Sequence, residues 1–196
     1  MGGSFEGIGK HGGNMETNIV VTINWDAETP ASGVLDRASK LLGKKQLQHN
    51  LDISCYTYCN PTTQVGCISG YSGLTSNHSN AITHTTKDNT DGQFGENIEL
   101  IFEGIPKHVK TLVFLVEVMG NHNFSDVQNP HACISTPDGE IVLEIDLKPE
   151  KSAYVFAKIC RSDVLSDAPD WQSILINEYT EHAKIEDWGT YLSQFV

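Results

Sequence analysis

The feature that most limits what this chain can fold into is a succession of short β-branched and apolar runs, each closed by a turn signal. Ile19-Val20-Val21-Thr22-Ile23-Asn24-Trp25 ends at Asp26-Ala27-Glu28-Thr29-Pro30, a strand meeting a turn. Leu51 to Cys59 alternates, with Leu51, Ile53, Cys55, Thr57 and Cys59 on one face and Asp52, Ser54, Tyr56 and Tyr58 on the other. A short strand is expected at Ala81-Ile82-Thr83-His84, and further strands at 97–103, 111–118, 131–136, 140–147, 153–160 and 171–178, with Pro137-Asp138-Gly139 as a hairpin turn. Residues 60–80 are rich in Gly, Ser, Asn and Thr, and residues 86–97 read as a long acidic loop. Many short strands punctuated by turns predict a mainly β fold, a two-sheet antiparallel β-sandwich.

Two segments depart from this period. Val34, Leu35, Ala38, Leu41 and Leu42 recur at helical spacing before Gly43, predicting a short surface helix. Ile185, Trp188, Tyr191, Leu192 and Phe195 recur at three and four, predicting a short C-terminal helix over 185–194 docked on the sandwich. The start of the chain, with Gly2, Gly3, Gly7, Gly9, Gly12 and Gly13, offers little to bury at high ordering entropy, so 1–16 is read as an arm and 17–196 as one domain.

Charge narrows the functions open to such a fold. Thirteen Lys and Arg against 25 Asp and Glu give a formal charge of −12, which opposes nucleic-acid and anionic-membrane binding. There is no apolar run long enough to span a bilayer and no secretory h-region, so a cytoplasmic protein without an integral membrane segment is expected. Five cysteines in that setting favour free thiols over a disulfide framework. Cys55, Cys59 and Cys67, with His49, His78 and His84 nearby, lack zinc-knuckle spacing and read as core thiols. Gly70-Tyr71-Ser72-Gly73 lacks the spacing of a nucleophile elbow, and no phosphate-binding glycine loop is present, so nothing demands an enzyme.

The chemistry-bearing residues are acidic and amide clusters at strand ends: Trp25-Asp26, Asn50-Leu51-Asp52, and Asp88-Asn89-Thr90-Asp91-Gly92 running on to Gly95-Glu96-Asn97. Hard cations such as Ca²⁺ take six to eight oxygens from carboxylates, amide and backbone carbonyls and water, which such loops can offer. The same residues also suit ordinary turns.

In order along the chain, Lys10-His11-Gly12-Gly13-Asn14, Ile23-Asn24-Trp25-Asp26-Ala27, Asn50-Leu51-Asp52-Ile53-Ser54-Cys55, His84-Thr85 with Asp88-Asn89, Gly95-Glu96-Asn97-Ile98, Ile105-Pro106 before Leu112-Val113-Phe114, Asn123 to Pro130, and Tyr154 to Ile159 are similar to the motifs of the TerD family, the tellurium-resistance and stress proteins that include TerE, TerZ and TerX relatives. The resemblance implies a calcium-binding β-sandwich without enzymatic activity, acting with protein partners in a tellurite-resistance, stress-response or phage-defence system. It implies Ca²⁺ ligands at Asp26, Asn50, Asp52, Asp88, Asn89, Asp91 and Glu96, brought to one cleft at an end of the sandwich. Asn50 replaces the first carboxylate of the family's D-L-D, and the loop from His84 to Ile98 is shorter and lacks a paired Asp before its Glu. Ca²⁺ affinity falls with ligand charge, so the alternative expectation is a TerD-like scaffold or interaction module whose site has decayed.

Overall fold

The structure, a computed structural model, describes residues 18–26, 51–70, 75–88, 93–148, 150–162 and 171–196. The arm at 1–16 and the helix expected at Val34–Leu42 lie outside them. The described strands are β1 (Ile19–Asp26), β2 (Leu51–Asn60), β3 (Thr63–Ser69), β4 (Ser76–Asn77), β5 (Ile82–Asp88), β6 (Gln93–Leu100), β7 (Thr111–Val118), β8 (Gln128–Ser135), β9 (Ile141–Asp146), β10 (Ala153–Arg161) and β11 (Trp171–Thr180). They form a six-stranded sheet in the order β4-β5-β6-β1-β8-β9 and a five-stranded sheet in the order β11-β10-β7-β2-β3. Every pairing is antiparallel, and the two sheets make the β-sandwich.

Period-two alternation builds the space between the sheets. Ile19, Val21, Ile23 and Trp25 of β1 are buried there with Leu51, Ile53 and Cys55 of β2 and Leu112, Phe114 and Val116 of β7. All eight residues of β7 are buried because its other face is covered as well. Val113 and Leu115 pack with Tyr58, Ala153, Val155 and Leu192 under the C-terminal segment, where a short helix, α1 (Trp188–Leu192), lies. The apolar stripe does dock on the sandwich, but only its middle is α-helical, with 3₁₀ turns at His182–Lys184 and Ser193–Phe195. Asp187 caps α1 by accepting from the Gly189 N–H at 3.0 Å, and the Tyr58 hydroxyl donates to the Gly189 carbonyl at 2.8 Å.

Three stretches differ from expectation. Residues 60–80 contain β3 and β4, so their polar composition marks a short, partly exposed sheet edge. The acidic stretch read as a loop is mostly the β5–β6 hairpin, leaving only 89–92 between the strands and placing Glu96 on a strand. The strand expected at 97–103 begins earlier, at Gln93, and gives way to a 3₁₀ turn at Phe102–Gly104. The Pro137-Asp138-Gly139 turn joins β8 to β9, with Gly139 at φ +91° and its N–H donating to Thr136 O at 3.0 Å. An l-residue side chain is strained at that angle, so Gly139→Ala should lower stability by about 1–2 kcal/mol, measurable by urea denaturation.

All five cysteines are free thiols. Burial pushes the Cys55, Cys67 and Cys133 thiols up, which suppresses the nucleophilic thiolate near neutral pH. In native protein at pH 8 these three should react with a disulfide reagent far more slowly than in denaturant, as a thiol-titration time course would show.

Candidate metal centre

One corner of the sandwich, where β2 and β3 approach β5 and β6, gathers three buried ionisable side chains. Asp52, His84 and Glu96 are each 4% exposed. A ligand atom from each lies within 4.8 Å of the others, making the one such group of three among the described residues. Strand geometry turns Glu96 and His84 inward. Glu96 pairs across from Ile23, whose side chain is in the core, so the pleat turns Glu96 inward as well. His84 pairs with Ile98 and shares the same buried face. Asp52 stands one residue into β2, opposite the end of β7.

Polar contacts fix the cluster. Glu96 Oε2 accepts from the Ile53 backbone N–H at 3.0 Å and from His84 Nε2 at 3.1 Å, tying one sheet to the other. Asp52 Oδ2 accepts from the hydroxyls of Ser69 at 2.9 Å and Ser54 at 3.3 Å. Gly70 admits this packing: a Cβ there would stand 2.7 Å from His84 Cε1 and 3.0 Å from Asp52 Oδ1. Two carboxylates buried together carry a strong electrostatic cost unless a proton or cation is shared between them. The imidazole gives Glu96 one hydrogen bond. A cation held by both carboxylates would cancel the repulsion between them.

The other implied ligands are distributed differently. Asp26 pairs with Gln93 at the far end of β1, three residues and about 10 Å along the strand from the position facing Glu96. It follows the inward Trp25, so it belongs to the outer face of its sheet, and its Oδ2 accepts from Asn129 Nδ2 at 2.7 Å. The backbone of Asp88 ends β5, paired with Phe94. Asn50, Asn89 and Asp91 lie outside the described residues, within three residues of Asp52 or Asp88 in the chain. The structure thus unites Asp52 and Glu96 and adds His84, which the reading of single residues had set beside the cysteines. Its signal was present in the strand Ala81-Ile82-Thr83-His84, where alternation with the buried Ile82 turns His84 to the same face as that core residue.

The fold and this corner together define a class: a two-sheet antiparallel β-sandwich with a buried carboxylate–imidazole cluster bridging the sheets. The TerD domain matches residues 10–172, and the chain belongs to the TerD family, a family related to tellurite resistance. Among solved structures it is similar to a homologue of the telluride resistance protein TerD from Streptomyces coelicolor A3(2), at 15% identity and a TM-score of 0.63, covering 84% of this chain and 90% of that one. It is also similar to a protein of unknown function at 14% identity and a TM-score of 0.60, covering 86% of this chain and 93% of that one. At these identities the likeness is one of fold. Comparison with curated protein sequences gives no match.

Proposed function

We propose that this chain is a non-enzymatic calcium-binding protein of a tellurite-resistance or stress-response system, acting in the cytoplasm. The observation that carries the reading is the burial of Asp52 and Glu96 beside His84, with ligand atoms within 4.8 Å of one another. The donor set suits a hard divalent ion through its two carboxylates. Two carboxylates and an imidazole fill about half of a Ca²⁺ shell of six to eight ligands, so carbonyls, hydroxyls and water must supply the remainder. Asn50 stands two residues before Asp52 and the acidic segment 88–91 lies between His84 and Glu96 in the chain, and both carry oxygens of the right kind. Calcium is preferred to magnesium because a site collected from several strands and loops tolerates irregular geometry, which Mg²⁺ does not. Its work would be to cancel repulsion between the carboxylates and so fix the loops that meet protein partners.

A second reading rests on a different observation. Glu96 already accepts from Ile53 and His84, so the pair can act as a tie between the sheets with a proton on His84 in place of an ion. In that case the chain is a scaffold or interaction module. Thermal melting in millimolar Ca²⁺ and in chelator separates the two. At free Ca²⁺ of about a hundred times Kd, linkage gives roughly 2.7 kcal/mol of added stability, whereas the scaffold reading gives equal melting temperatures.

A further inference from the structure

Among the described residues the six-stranded sheet ends at β9, which pairs only with β8. The backbone of β9 is set for further pairing. The Leu147 N–H donates to the Pro130 carbonyl at 2.8 Å, in line with the β8–β9 register. Hydrogen bonds of an antiparallel ladder alternate, so the backbone groups of Leu147 and Ile145 face β8 and those of Glu144 and Asp146 face the open edge. The side chains alternate as well. Leu143 and Ile145, opposite the core residues Ile134 and Ala132, turn inward and are only partly buried. Glu144 and Asp146 turn outward with side chains 62% exposed. Beside Asp146 the edge opens onto a recess of about 500 Å³ floored by the buried Phe124, Val127 and Leu147.

Edge strands are commonly guarded by short length, lysine or proline. At the other edge of this sheet β4 has two residues, whereas β9 has six, with neither lysine nor proline among them. A bulge in the β8–β9 ladder lies before Leu143, so the stretch from Leu143 to Asp146 stays regular. Acidic charge decides what this edge can accept. From 138 to 148 the chain carries Asp138, Glu140, Glu144 and Asp146 against Lys148 alone. Lys148 Nζ lies 3.1 Å from Asp146 Oδ2 on a side chain 78% exposed, and His131 Nδ1 lies 3.2 Å from Asp146 Oδ1. Pairing with a second copy of β9 in a register centred on Glu144, Ile145 or Asp146 sets Glu144 or Asp146 opposite another carboxylate, and like charges directly opposite on adjacent strands repel.

We propose that β9 accepts, as an added antiparallel strand, an extended segment of a partner protein in which basic and apolar residues alternate. Main-chain hydrogen bonds to Glu144 and Asp146 supply affinity, and the alternate side chains supply specificity. The basic residues meet the Glu144 and Asp146 carboxylates on the outer face, while the apolar ones cover Leu143 and Ile145 and enter the recess. The inference names a partner chemistry that the proposed function leaves open and does not depend on calcium, because β1 and β8 separate β9 from β6, which carries Glu96.

A fluorescein-labelled Lys-Val-Lys-Val-Lys-Val-Lys amide is the probe. Fluorescence anisotropy at physiological ionic strength should show saturable one-to-one binding. A peptide of the same composition with its lysines grouped ahead of its valines should bind at least about tenfold more weakly. The alternating peptide methylated at its lysine backbone nitrogens, which face Glu144 and Asp146 in the added strand, should be weakened as much. Glu144→Gln with Asp146→Asn should weaken binding of the probe about three- to tenfold. Glu103→Gln with Glu186→Gln, on exposed residues elsewhere, removes the same charge and should leave it unchanged. Circular dichroism would establish that each variant is folded. Absence of saturable binding to the wild-type protein, equal binding of the grouped or methylated peptide, or wild-type affinity in the folded Glu144→Gln, Asp146→Asn variant would overturn the proposal.

Discussion

Replacing Trp171 with alanine should lower the stability of the chain by about 3–5 kcal/mol and its melting temperature by roughly 6–20 °C. Trp171 begins β11 and is fully buried. Its ring stacks on Phe102 with centroids 5.0 Å apart, and the Arg161 guanidinium carbon lies 4.3 Å from its centroid. Arg161 also donates to the carbonyls of Val109 at 2.9 Å and Ile105 at 2.7 Å, so the indole helps hold the segment leading into β7. Truncation leaves a cavity and removes the apolar cover from a half-buried cation. Trp171→Phe should cost roughly half as much, because the indole N–H it removes is buried with no hydrogen-bond partner among the described residues. Chemical denaturation of the two variants checks both figures, and equal losses would contradict the account of the indole.

The second large effect concerns the metal centre. Under the calcium proposal, Asp52→Ala and Glu96→Ala should each remove most of the roughly 2.7 kcal/mol conferred by saturating Ca²⁺, which corresponds to about 5–10 °C in melting temperature. Their behaviour without calcium should differ. Asp52→Ala removes one of two buried carboxylates and relieves repulsion, so the apo protein should stay folded. Glu96→Ala leaves the Ile53 N–H without its acceptor and should cost about 1–3 kcal/mol in chelator as well. Melting of both variants with and without Ca²⁺ yields four values that test this asymmetry. A Ca²⁺ gain retained in both would dissociate these carboxylates from the ion.

The strands that bury both faces were the most legible in the sequence. Thr111 to Val118 and Ala153 to Cys160 read as near-continuous apolar runs, and the structure covers them on one side by the other sheet and on the other by the C-terminal segment. β3 was hidden because Thr63, Gln64 and Gly66 carry edge and turn chemistry, and pairing with β2 decides their conformation. The hairpin of β5 and β6 was hidden by Gly95, which looks like a loop residue. In the structure that glycine marks close packing within the sheet: a Cβ there would lie 2.6 Å from Asn24 Oδ1 and 3.0 Å from the Ile23 carbonyl.

The candidate site was legible in part for a related reason. Residue type pointed to Asp52 and Glu96, but the partnership with His84 depends on strand register and on contact between two sheets, neither of which local spacing encodes. Asp26 shows the reverse. Its residue type matches the implied ligand set, while strand parity directs it to the outer face and toward Asn129. The opposition of Asp52 and Glu117 across β2 and β7 likewise exists only once the register is known.

Calorimetric titration of Ca²⁺ into chelator-treated protein tests the central functional claim most directly, with Asp52→Asn as the matched variant. Calcium binding at the corner of Asp52, His84 and Glu96 predicts saturable binding in the wild-type protein, loss of at least about tenfold in affinity in the variant, and weaker binding of Mg²⁺. Absence of saturable Ca²⁺ binding in folded wild-type protein would contradict the claim and leave the Glu96–His84 contact as a structural tie in a TerD-family scaffold.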